Sequence, residues 1–180
     1  MSAPSTLNLE QQLKQLYLTS ILRQYRTDAQ GTTQDGWPYE AYLAGLLQQE
    51  VDRRLRNRRQ RRIKDARFPL RKELVDFEFA AIPQLNQQKV MELAQGDYLD
   101  QAESVLMVGS PGLGKTHIAV ALGVKAVEAG YSVHFLTLET LMTRLVKAQN
   151  ENRLEQALKK LVYPKLLIID EIGYLPLTRE

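Results

Sequence analysis

The segment Gly109-Ser110-Pro111-Gly112-Leu113-Gly114-Lys115-Thr116 constrains this chain more than any other. It satisfies the pattern G-x-x-x-x-G-K-[ST], whose four fixed positions match by chance roughly once in a few hundred chains of this length. The short run Ser104 to Val108 leads into it and reads as a strand. The helical pattern from Lys115 to Ala129, closed by Gly130, follows it. Strand, glycine loop and helix N-terminus together turn successive backbone N–H groups into one concavity that favours phosphate oxygens. Gly109, Gly112 and Gly114 permit the backbone conformation and the close approach. Lys115 is expected to contact the β- and γ-phosphates and the Thr116 hydroxyl to ligate Mg²⁺, so ATP and Mg²⁺ are the expected cofactors. The bland alternative is a glycine turn before an ordinary helix.

Downstream, short apolar runs alternate with helical patterns, the signature of a parallel sheet with helical crossovers. Ser132 to Leu136 reads as a strand, Glu139 to Leu161 as helical, and Leu166 to Ile169 as a further strand after Pro164. That strand runs into Asp170 and Glu171, 55 residues beyond Lys115 counted to Asp170. An apolar strand ending in two acids resembles a Walker B element. Asp170 is expected to hold Mg²⁺ directly or through water, and Glu171 to polarise the water that attacks the γ-phosphate. Glu171 and Lys115 are therefore the expected catalytic residues. Acidic turns also end ordinary strands, so the pairing with the upstream loop carries the weight.

Ahead of the loop the chain reads differently. Leu9, Leu13, Leu16, Tyr17 and Ile21 make one apolar stripe on a helix starting near Asn8, and Gly31 and Gly36 bracket a polar loop. From Pro38, the residues Tyr39, Tyr42, Leu43, Leu46, Leu47, Val51 and Leu55 keep a helical period into the arginine stretch. Pro69 and Pro83 frame a connecting segment that contains Leu74, Phe77 and Phe79. Leu85 to Gln95 is weakly helical and ends at Gly96.

Charge is uneven. Between Arg53 and Lys72 there are eleven Lys or Arg against one acid, Asp65, while the rest of the chain holds 13 basic and 20 acidic residues. A net +10 beside a net −7 points to a polyanionic partner for the basic segment. Arg53, Arg54, Arg56, Arg58, Arg59, Arg61, Arg62 and Lys64 spread charge around a helix, where their neighbours are too few to neutralise them. Double-stranded DNA phosphates would relieve that repulsion, with little base specificity. A solvated helix face or an acidic subunit are the alternatives.

The chain has no cysteine, which excludes disulfides, thiolate zinc sites and a cysteine nucleophile. Its two histidines, His117 and His134, fall on different elements and read as structural. Trp37 is expected to pack or cap the second helix, and Tyr174 and Pro176 to shape the turn after Glu171. Phe77 and Phe79 could flank an adenine or simply pack in a core. Met1 to Asn8 lacks the pattern of a secretory signal, and no apolar run approaches the roughly 20 residues of a membrane span. The expectation is a soluble cytoplasmic protein with no membrane contact.

Gly109 to His117, the turn Ala129-Gly130-Tyr131 and above all Asp170-Glu171-Ile172-Gly173-Tyr174-Leu175-Pro176 resemble the AAA+ helper ATPases of insertion sequences, the IstB type, related to the DnaC helicase loaders. The likeness extends upstream through the arginine tract and Phe77-Glu78-Phe79. It implies a bacterial, ATP-dependent, homo-oligomeric DNA-binding protein that selects or remodels target DNA and recruits and stimulates a transposase. A DnaC-like helicase loader is the alternative, and a DNA-binding scaffold that holds ATP without turnover is a third reading. The resemblance also implies that His117 belongs with Gly109, Ser110, Pro111, Gly112, Leu113, Gly114, Lys115 and Thr116 among the nucleotide-binding residues. The implied fold is an α/β P-loop NTPase of the AAA+/ASCE branch, with a three-layer core after a small all-helical N-terminal domain. Residues 1–68 would form the helical DNA-binding and assembly domain, 69–84 the linker and 85–180 the ATPase core. That core is expected to be truncated at its C-terminal end, with the strand that inserts between the first and third, the sensor residues and the arginine finger beyond Glu180.

Overall fold

The computed structural model describes residues 6–171. The chain divides into two compact units, Met1–Arg58 and Arg59–Glu180. The division falls inside a helix, ten residues before the expected boundary.

The first unit is helical. Helix α1 spans Thr6–Gln15, α2 spans Thr19–Asp35, and α3 (Tyr39–Ala66) begins here. The single stripe from Leu9 to Ile21 is broken between α1 and α2. Tyr17 takes a left-handed backbone (φ 56°), while the Leu18 N–H donates to the Leu13 carbonyl at 2.9 Å and the Tyr17 N–H to that of Lys14 at 3.0 Å. This is a Schellman closure with tyrosine where glycine is usual. Leu13 and Ile21 still reach one core, with Leu46, while Leu16 and Tyr17 are exposed. Helix α2 also runs through Gly31, so the expected polar loop shrinks to the residues around Gly36.

The second unit is built around α6 (Lys115–Glu128), whose buried Ile118, Val120, Ala121, Leu122, Val124, Ala126 and Val127 point all ways round. A helix apolar on every side requires apolar neighbours on every side. These come from the end of α3 (Ile63, Ala66), from Phe68, from α4 (Gln87–Gln95), from the short α5 (Asp97–Asp100) and from two strands. The Asn86 side chain caps α4, accepting the Lys89 N–H at 3.0 Å.

The segment 69–84, expected as a linker, does not hang free. It forms two 3-10 turns, Leu74–Asp76 and Phe79–Ala81, and buries Leu74 with Val90, Ile118, Ala121 and Leu122, with Phe77 and Phe79 packed alongside. Three large apolar side chains in a short segment gain more from burial than from exposure.

Strand β1 (Val133–Thr137) and strand β2 (Leu166–Asp170) pair in parallel, Val133 opposite Leu166 and Thr137 opposite Asp170. Between them lie α7 (Leu138–Asn150) and α8 (Leu154–Val162). The helical pattern from Glu139 to Leu161 is thus two helices. Asn152 is left-handed (φ 54°) and the Arg153 N–H reaches back to the Ala148 carbonyl at 2.8 Å, a second Schellman closure.

The expected strand Ser104–Val108 is not a strand in this structure. Apolar composition favours a strand, but only a ladder partner makes one. Among the described residues nothing pairs with this segment, and Leu106 and Val108 are 78% and 86% exposed. Helix-rich with a small parallel sheet, the second unit is α/β as expected, with two strands in place of three.

Candidate phosphate-binding site

The loop between Val108 and α6 is held by left-handed glycines, Gly112 (φ 82°) and Gly114 (φ 72°). At Gly114 the need for glycine is twofold. Beyond its backbone, a Cβ there would lie 2.5 Å from Cε2 of Phe77, whose ring sits directly against the loop. No side chain caps the start of α6, so its first N–H groups stay available to an anion.

Lys115 folds back over the loop, its Nζ donating to the carbonyls of Gly109 at 2.7 Å and Ser110 at 2.8 Å. Next to it the Thr116 hydroxyl donates to Oδ2 of Asp170 at 2.7 Å. Two residues 54 positions apart thus meet at the carboxyl end of β2, where ligands bind in open α/β sheets. The approach depends on Gly123, whose added Cβ would fall 2.8 Å from both Ile168 Cδ1 and Phe68 Cε1. A Cβ there would force the Ile168 and Phe68 side chains to shift. A hydroxyl and a carboxylate side by side are hard oxygen donors of the kind Mg²⁺ takes, and the cradle of free N–H groups with Lys115 fits the phosphates of ATP.

Glu171 follows β2, exposed and in a left-handed backbone (φ 61°). Ile172, Gly173, Tyr174, Leu175 and Pro176, which carry much of the resemblance, lie outside the described residues. His117 contacts the segment upstream of the loop. Its Nε2 lies 3.0 Å from the Glu73 carbonyl, and its ring stands edge-on to Phe77 with centroids 5.1 Å apart. Phe77 in turn packs edge-on to Phe79 at 4.8 Å. The pair therefore packs behind the loop, a role the sequence left open beside adenine flanking.

His134 lies on β1, where burial pushes its pKa down and the nearby cations Arg144 and Arg67 add to the shift, while a hydrogen bond with the Asp65 backbone opposes it. Among the described residues no three His, Cys, Asp or Glu gather as a metal cluster, and no helix is long and apolar enough to cross a membrane.

The arginine tract is less free than its sequence suggests. In the first unit Arg53 and Arg54 donate to the buried Glu50 carboxylate at 2.6 and 2.7 Å, and Arg54 also reaches the Tyr17 carbonyl at 3.3 Å. In the second unit Arg59 pairs with Glu128, and Arg62 lies half-buried beside Gly130. Two carboxylates, Glu50 and Glu128, thus pair with three of the eight, so the tract keeps most of its charge, as its density led one to expect. Arg56, Arg58, Arg61 and Lys64 are exposed with no ion pair among the described residues. Sequence reading missed Glu50, Gly123, Phe68 and Glu73, which act through contacts across the fold; only the spacing of Glu50, three and four residues before Arg53 and Arg54, was a local signal.

Comparison with known proteins points to one family. The family model described as IstB-like ATP binding protein matches residues 11–180. A Pseudomonas aeruginosa protein named for ATP binding in insertion sequence IS21 is 46% identical over 142 residues, 79% of this chain and 54% of its own length. A Geobacillus stearothermophilus counterpart from IS5376 is 34% identical over 162 residues, 90% of this chain and 64% of its own length. One from IS232 of Bacillus thuringiensis subsp. berliner is 39% identical over 138 residues, covering 77% of this chain and 55% of its own length. The chain thus spans just over half to somewhat under two thirds of these relatives.

Proposed function

We propose that this chain, which belongs to the IstB-like ATP binding family of P-loop ATPases, hydrolyses ATP as a homo-oligomer assembled on double-stranded DNA and there recruits and stimulates a transposase. The observation that carries the nucleotide half is the Thr116–Asp170 hydrogen bond at 2.7 Å beside Lys115. It supports a site in which Gly109 to Thr116 hold the phosphates and Thr116 and Asp170 hold Mg²⁺. Bound Mg²⁺ would neutralise charge on the phosphates. Lys115 balances the charge that builds on the β- and γ-oxygens, and Glu171, placed just past β2, is the general base for the attacking water.

The DNA half is supported by Arg56, Arg58, Arg61 and Lys64, exposed and without an ion pair among the described residues, with Arg53, Arg54, Arg59 and Arg62 held nearer the protein. The transposase half is supported by the insertion-sequence names of the relatives, which favour it over helicase loading. A titration calorimeter tests the site. Lys115→Ala is expected to weaken Mg²⁺-ATP binding at least about 100-fold. Glu171→Gln is expected to keep binding and lose turnover. Undiminished ATP affinity in Lys115→Ala would refute the assignment.

A further inference from the structure

The segment just upstream of the loop reaches it at a point no phosphate contact explains. The Glu73 carbonyl is 3.0 Å from His117 Nε2 on the first turn of α6. A carbonyl only accepts, so Nε2 carries a proton and donates. Immediately past the turn Leu74–Asp76 stands Phe77, edge-on to the same imidazole and pressed into the space where Gly114 has no Cβ. Leu74 anchors the turn on Ile118, Ala121 and Leu122 of α6, and Phe79 packs edge-on to Phe77. The contact chain is thus Glu73, His117, Phe77, Gly114, and Gly114 immediately precedes Lys115.

We infer that His117 is a positioning residue for nucleotide binding: it ties residues 73–79 to α6 and so holds the Phe77 ring beneath Gly114, fixing the left-handed turn that aims the loop N–H groups. His117 itself touches no phosphate. Its place next to Thr116 is what lets one hydrogen bond set the shape of the loop from behind. Without that bond, the 73–79 segment keeps Leu74 and Phe79 as anchors, but Phe77 is free to swing and Gly114 loses its backstop. A loop that samples several shapes binds with an affinity reduced by the fraction of time it spends in the competent one.

The inference rests on Gly109–Thr116 being a nucleotide site, and the experiment separates the two. Mg²⁺-ATP is titrated calorimetrically into the wild-type chain, His117→Ala and His117→Gln, with the thermal midpoint of each measured without nucleotide. Expected is a loss of about five- to tenfold in affinity for His117→Ala, the worth of one hydrogen bond. In Gln the Nε2 amide takes the place of the imidazole Nε2–H, so His117→Gln is expected to return affinity to within about twofold of wild type. Should His117→Ala not fold, Phe77→Leu, which keeps an apolar contact with Phe79 but removes the ring under Gly114, carries the same expected loss. If wild type binds no ATP, the nucleotide reading fails. If wild type binds and His117→Ala or Phe77→Leu binds equally well, or if His117→Gln binds as weakly as His117→Ala, the positioning role is overturned.

Discussion

The two units are stabilised by different physics. The second surrounds α6 with apolar side chains, and its tightest point is one of shape, Gly123 against Ile168 and Phe68. The first has a small apolar core of Leu13, Ile21 and Leu46, and beside it buries a carboxylate, Glu50. Glu50 accepts from the Ser20 N–H in the first turn of α2 at 3.1 Å and from Arg53 and Arg54 on α3. Three donors hold its pKa down to about 2 against the usual 4.5, the Arg53 hydrogen bond foremost and burial opposing. A core this small is fixed in register by a polar pivot, whereas the larger one is fixed by close packing. One unit should answer to volume, the other to charge.

The largest expected effect follows from the shape side. Gly123→Val would push two methyls into Ile168 and Phe68 and cost the second unit about 3 kcal/mol. Thermal unfolding followed by calorimetry would show one transition falling and the other unmoved; a fall in both would erase the contrast. Next comes Glu50→Gln, which removes the charge but keeps the size. It is expected to cost the first unit about 2 kcal/mol, the scale of hydrogen bonds to an ion.

The same carboxylate gives a pH signature. Below its usual pKa of 4.5 the unfolded chain takes up the proton that folded Glu50 refuses until about pH 2. Its stabilisation is therefore complete above about pH 4.5 and erodes as pH falls towards 2. Acid unfolding of the first unit in wild type but not in Glu50→Gln, monitored by circular dichroism, would sharpen the comparison; parallel profiles would break it.

The smallest effect concerns the arginine tract, where the paired and unpaired cations part company. Replacing Arg56, Arg58, Arg61 and Lys64 by Ala is expected to leave both unfolding transitions in place. It should also flatten the salt dependence of duplex binding by about 0.9 per lost phosphate contact. Arg53→Ala instead is expected to lower the first transition. Equal salt slopes for wild type and the fourfold variant would remove these residues from any DNA contact.

Much of the site was legible because its chemistry is local. The loop pattern points to Gly109 to Thr116, and an apolar run ending in Asp170 announces the second half; the structure joins them through the Thr116–Asp170 hydrogen bond. What was illegible depends on partners far along the chain. Ser104–Val108 has the composition of a strand, but strand formation is a property of pairs. The closure at Asn152 could have been read, since asparagine tolerates the left-handed turn. Tyr17 in the same conformation gave no such signal, and its apolar ring argued for continuing the stripe. The ring of Phe77 under Gly114 is a contact between side chain and missing side chain, which no periodicity records.

One residue at the edge of the site does two jobs. Thr137 stands opposite Asp170 in the β1–β2 ladder, and its hydroxyl accepts the Thr140 N–H that starts α7. Strand end and helix start are therefore a single rigid corner. Any displacement of Asp170 strains the same peptide that sets the heading of α7, and through it of α8. The carboxylate beside Thr116 is in this sense the short arm of a bell crank, whose long arm is a pair of helices.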